Sequence, residues 1–139
     1  MSVVNQNGKA TITYTVPKDP RLLIVKAVYN LSSGKQYEAQ TSYYNNSLEV
    51  LGFADTDEHE VKVYSVSRSG VSSAPIIVKV KPLIAPIWQT FKSLKVQNAF
   101  GGYNLTASNP SKGNVNIMVI GKNSTTNLLQ IMIKVFSPI

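Results

Sequence analysis

Apolar and polar residues alternate with a period of two along most of the chain, and stripes at helical spacing are scarce. Residues 9–16, Lys-Ala-Thr-Ile-Thr-Tyr-Thr-Val, put Ala10, Ile12, Tyr14 and Val16 on one face, and Pro17 and Pro20 then break the strand. Residues 22–31 set Val25, Ala27 and Tyr29 against Lys26. Ser32-Ser33-Gly34 reads as a turn, and the polar run 35–43 suits the edge of a sheet. Asn45-Asn46 turns the chain into a strand over 48–51. An acidic corner from Asp55 to Glu60 leads into a strand over 59–66. After Ser69-Gly70, residues 75–81 alternate apolar side chains with Lys79 and Lys81. Short strands at such spacing, with turn signals between them, predict a β-sandwich over residues 1–82.

The pattern changes at 83–92. Pro82 and Pro86 stiffen this stretch and withhold ladder donors, so it reads as a Pro-rich junction. Strand candidates follow at 93–97, 102–108, 114–120 and 128–136, with turns at Gly101-Gly102 and Ser111-Lys112-Gly113. So few strands are scarcely enough for an independent sandwich, and 93–139 is expected to be an incomplete second β-domain. The fold class is all-β: a sandwich followed by a partial second β-region.

Composition narrows the chemistry. None of the 139 residues is Cys and one is His, which excludes disulfides, thiolate chemistry and multi-His metal sites. The net charge of +7 is unevenly placed. All seven carboxylates lie at or before Glu60, whereas residues 61–139 hold nine basic residues and no acid. Those cations never run three together, as a phosphate-tracking groove would want, so no nucleic-acid partner is expected. No apolar run reaches the length of a membrane-spanning helix. The start, Met1-Ser2-Val3-Val4-Asn5-Gln6, lacks the basic-then-apolar order of a signal peptide.

Three runs carry a family likeness: Val50-Leu51-Gly52-Phe53, then His59 through Val66, then Ser69-Gly70 with Pro75-Ile76-Ile77-Val78. Together they resemble a fibronectin type III domain across residues 8–82. The resemblance puts His59 where that family has its corner Tyr, Phe53 where it has a Leu, and Tyr14 near its buried Trp. His59 is accordingly expected to hydrogen-bond backbone at the sandwich corner. The family's first strand should precede residue 8, where few residues remain, so it is expected to be missing. The uncovered edge would then favour a homodimer. The adhesive Arg-Gly-Asp loop is replaced by Arg68-Ser69-Gly70-Val71, which removes the basis for integrin-type adhesion.

Phrases such as Lys9-Ala-Thr-Ile-Thr-Tyr14, Ser42-Tyr-Tyr-Asn-Asn-Ser-Leu48 and Glu58-His-Glu-Val-Lys-Val-Tyr64 are also similar to an uncharacterised family of Bacteroidetes surface lipoproteins. That resemblance implies a longer parent at the bacterial surface or in the periplasm. In it a fibronectin type III-like domain precedes a second β-domain and a C-terminal discoidin-like domain, often beside glycan-uptake systems.

Candidate chemistry is sparse. Asp55-Thr-Asp57-Glu58-His59-Glu60 lacks the Gly and distal Glu of a helical calcium loop, and such close carboxylates do not flank a cleft. His59-Glu60-Val61-Lys62-Val63 fails the zinc-protease spacing, and neither a nucleophile elbow nor a phosphate-cradling glycine loop occurs. No enzyme, catalytic residue, metal or cofactor is therefore expected. Aromatic side chains remain as a ligand or partner surface: Tyr37 and Tyr44 on the polar strand and its turn, Trp88 and Phe91 in the junction. The expected role is a non-catalytic accessory or spacer module linked to glycan capture, with neighbouring domains as partners. Protein binding through an edge strand or the junction aromatics is the alternative, and direct carbohydrate binding ranks below it.

Overall fold

A computed structural model describes residues 1–121 and 129–135, with side chains through residue 118. The chain divides into two compact units, Met1–Ala85 and Pro86–Ile139.

The first unit holds seven strands: β1 (Ser2–Gln6), β2 (Lys9–Thr13), β3 (Leu22–Asn30), β4 (Gln36–Ser42), β5 (Ser47–Leu51), β6 (His59–Ser67) and β7 (Ile76–Val80). They form two antiparallel sheets, ordered β1-β2-β5 and β4-β3-β6-β7. The alternating apolar sets of the sequence meet between them. Ala10, Ile12, Leu48 and Val50 from the first sheet pack with Val25, Ala27, Tyr29, Val61, Val63, Val78 and Val80 from the second, and Phe53 joins them. Each buried Val or Ile contributes about 1.5–3 kcal/mol, which makes this shared core the main reason the sheets stay together. The polar strand β4 lies at a sheet edge, as its composition suggests.

The expectation of a missing first strand is corrected. β1 pairs with β2 from Ser2↔Thr13 to Gln6↔Lys9. Its sequence hides it, because only Val3 packs against the core and the rest of Ser-Val-Val-Asn-Gln shows no buried face. The edge it forms is also tied down. Leu83 N–H donates to Gln6 carbonyl at 2.9 Å and Gly8 N–H to Leu83 carbonyl at 3.0 Å. Asn5 accepts from Lys81 N–H at 3.0 Å, and Asn7 donates to Ile84 carbonyl at 2.8 Å. The open edge that argued for a homodimer is therefore not the one this unit presents.

Tyr29 clamps the two sheets. Its hydroxyl donates to the carbonyl of Leu51 at 2.9 Å and accepts from the N–H of Leu51 at 3.0 Å, so β3 holds the end of β5. Its ring continues a row of aromatic contacts, 5.3 Å from Phe53 and 6.4 Å from Tyr37 between centroids.

The second unit opens with a helix, α1 (Pro86–Lys92), where the sequence suggested only a junction. Proline is favoured at a first helical position because its missing N–H would be unbonded there anyway. Seven residues are too few to display a helical stripe. The hydroxyl of Ser93 accepts from Ser108 N–H at 2.8 Å and lies within bonding distance of the Thr90 and Ser108 carbonyls. The remaining strands form two ribbons, β8 (Lys95–Ala99) with β9 (Gly102–Thr106) and β10 (Val115–Gly121) with β11 (Leu129–Val135). In the β8–β9 turn the positive φ falls on Gly101 alone, where a side chain would be strained. The strand expected over 128–136 is β11, and its outermost positions, 128 and 136, lie outside the described residues. Among the described residues no helix is long and apolar enough to cross a membrane.

Candidate functional site

Antiparallel connectivity brings three loops of the first unit to one end: β2–β3, β4–β5 and β6–β7. Backbone hydrogen bonds lace them together. Tyr14 N–H donates to Asn46 carbonyl (2.9 Å), Tyr43 N–H to Leu23 carbonyl (3.2 Å) and Arg68 N–H to Arg21 carbonyl (2.8 Å). The β6–β7 loop is also closed on itself, by Ser67 N–H to Val71 carbonyl and by Val71 N–H to the Ser67 hydroxyl. A groove of about 720 Å³ lies here, lined among others by Arg21, Arg68, Ser67, Ser69, Val71 and Ser72.

The two guanidinium groups differ. Arg21 grips Asp19 with two parallel hydrogen bonds of 3.0 Å, and these bonds hold the Asp19 carboxyl below its ordinary pKa. That fork leaves the pair close to neutral. Arg68 has no ion-pair partner among the described residues and brings one uncompensated positive charge to the groove. Beside it, the rings of Tyr43 and Tyr44 approach to 4.1 Å. The Tyr43 hydroxyl is pushed above its ordinary pKa, first by its hydrogen bond with Tyr44 and then by burial, with the Arg68 charge pulling the other way. The loop end can thus offer Arg68 in the groove, exposed Lys18 on the β2–β3 loop, several hydroxyl groups and an aromatic face.

The opposite end holds the acidic corner. His59 Nε2 lies 2.6 Å from Asp55 Oδ1, and the Ser32 hydroxyl bonds the same carboxylate through Oδ2. The expectation that His59 bonds backbone is corrected. The carboxylate four residues upstream reaches the ring first, and Phe53 packs on the imidazole at 4.7 Å. The hydrogen bond to His59 is the main cause of a lowered Asp55 pKa. Ser32 is bonded to the carboxylate rather than to the imidazole, whereas a serine nucleophile needs the base itself. No group of three or more His, Cys, Asp or Glu residues suited to hold a metal occurs among the described residues.

The aromatic residues singled out in the sequence do not gather in one place. Tyr37 shares the inner face of the sheet with Tyr29, its register partner, and is 39% exposed, with Lys35 Nζ 5.1 Å from its ring centroid. Tyr44, 77% exposed, belongs to the loop end. Six residues separate the two, and the strand from Tyr37 to Ser42 alone spans about 16 Å. Trp88 and Phe91 lie on α1 of the second unit, paired edge to face with centroids 6.4 Å apart. Sequence reasoning passed over Arg68 and the serines as a site because nothing in the sequence says which loops will meet. The signal that could have found them is the sandwich connectivity itself.

A family model described as a domain of unknown function (DUF4959) matches residues 1–82. A second, described as a domain of unknown function (DUF5126), matches residues 83–138. No curated protein matches the chain.

Proposed function

The chain belongs to the DUF4959 family, and for it we propose the role of a non-catalytic accessory module of a bacterial cell-surface protein, spacing neighbouring domains in the service of glycan capture. The observation that carries this reading is the path of the chain through the first unit. β1 begins at the loop end, where Met1 lies beside Tyr14 and Val16. The chain leaves β7 at the other end, where Leu83 is bonded to Gln6 and Gly8. A domain entered at one pole and left at the other adds its own length between its neighbours. Support for a fibronectin type III-like sandwich comes from the strand order, three strands as β1-β2-β5 and four as β4-β3-β6-β7. The bonding of Ser32 to a carboxylate supports the non-catalytic part of the reading.

Protein binding is the second reading, favoured by exposed Tyr44, whose ring meets that of Tyr43, and by the cation Arg68, unpaired among the described residues, on loops held by backbone bonds. Immobilised neutral and acidic glycans test the first. The isolated chain is expected to pass over the whole panel unretained at millimolar glycan. Saturable retention by any of them replaces the spacer role with direct carbohydrate binding.

A further inference from the structure

Among the described residues, β4 is the least guarded edge of the first unit. β1 is tied to the chain beyond β7 by Leu83 and by the Asn5 and Asn7 side chains. At the end of β5, the Tyr29 hydroxyl takes up both backbone groups of Leu51. β7 is short and is followed by Lys81, whose N–H is given to Asn5. Lys79 and Lys81 also guard that edge, since lysine discourages strand pairing. β4 runs from Gln36 to Ser42 with no Pro, no Lys and no bulge against β3.

The direction of its backbone groups follows from one bond. Tyr43 N–H donates to Leu23 carbonyl across the sheet, so the N–H and C=O of Thr41, Ala39 and Tyr37 also face β3. Those of Gln36, Glu38 and Gln40 point away from the sheet. Among the described residues no hydrogen bond reaches these outward backbone groups, and all three residues are exposed.

This edge is complementary to a second copy of itself. Laid antiparallel along its whole length, the strand pairs about Ala39. Glu38 then faces Gln40 of the second copy, Gln36 faces Ser42, and Tyr37 faces Thr41. No like charges meet, and Glu38 keeps its own Lys26 at 3.2 Å. Ala39 faces Ala39 at a non-hydrogen-bonded position, where side chains come closest and a small residue fits. A slip of one pairing step toward Gln36 sets Glu38 against Glu38, and like charges directly opposite are destabilising. The opposite slip leaves Gln36 without a partner. Charge and length thus select one register.

We infer that β4 pairs antiparallel with β4 of a second copy of this chain, joining two four-stranded sheets across a two-fold axis at Ala39. Pairing over one strand is smaller than a standard protein interface, so the dimer is weak and concentration-dependent. The inference does not depend on the spacer role, and either can fail alone.

Sedimentation equilibrium and amide-proton NMR of the full chain, from about 10 μM to about 1 mM, test it. The mass is expected to rise from one copy toward two, with saturable shifts at Gln36, Glu38 and Gln40 and none along β1 or β7. Gln40→Pro removes an outward N–H that β3 does not use. It is expected to weaken association about tenfold while amide signals of β3 and β6 stay in place. Gln40→Glu sets a like charge against each Glu38 of the dimer, whereas within the sheet it faces Lys26 and leaves the fold intact. It is expected to weaken association at low salt and less so at high salt. A chain that stays a single copy at millimolar concentration overturns the inference. So does association that neither substitution weakens, or shifts confined to another edge.

Discussion

Two buried tyrosines, Tyr14 and Tyr29, are both nearly sealed from solvent, yet their hydroxyl groups stand in opposite circumstances. Tyr29 makes two hydrogen bonds to the backbone of Leu51, whereas Tyr14 makes none. Tyr29→Phe should therefore lower stability by about 1–3 kcal/mol in urea denaturation, because it strips partners from a part-buried N–H and carbonyl. Burial pushes the Tyr14 hydroxyl above its ordinary pKa. The neutral form is then favoured in the folded state, so its contribution is complete below about pH 10 and is lost as pH rises toward the raised value. Asp55 has the opposite sign. Its pKa is lowered, chiefly by His59, so its contribution is present above about pH 4 and is lost as pH falls through the lowered value. A pH series of urea midpoints should show a shallower acid limb in Asp55→Asn than in the unmodified chain. Equal acid limbs would remove Asp55–His59 from the account of acid sensitivity.

Legibility at the scale of elements followed how much of each element faces the core. β2, β3, β5, β6 and β7 were readable because alternate residues are buried between two sheets, and the polar run of β4 marked an edge. β1 was not readable, since it is held by its ladder and by Asn5, Gln6 and Asn7 rather than by apolar side chains. Asn5→Ala should speed hydrogen exchange at Lys81 and cost about 1 kcal/mol; unchanged exchange there would mean the Asn5 side chain does not hold that edge. Helix α1 escaped for want of length, although Pro86 was a visible first-turn residue. Pro86 also has a packing role. A Cβ added at Gly113 would run into the Pro86 ring, so Gly113→Ala should destabilise the second unit while leaving amide spectra of residues 1–85 in place. The groove could not be read from sequence at all, because it depends on which loops meet at one end of the sandwich.

For the whole molecule, the charge of +7 divides along the same line as the fold. Residues 1–82 are nearly balanced, and many of their acids are spent in ion pairs with Lys9, Arg21, Lys26 and Lys79 or in the His59 contact. The later residues bring cations and no acid, but dispersed ones. Retention on heparin is expected at low salt and should vanish at moderate salt, as weak counterion release requires. Retention persisting into high salt would point to a dedicated polyanion site. The path of the chain gives the spacer reading its mechanical content, because tension between neighbours would enter at β1 and leave beyond β7. The chain has no Cys, so single cysteines at Ser2 and Leu83 give clean handles for pulling the first unit. One rupture is expected, releasing about 290 Å of chain less the folded span, at about 3.6 Å per residue. A first unit that lengthens gradually at low force, or sheds β1 in a separate early step, would contradict the role of a tension-bearing spacer.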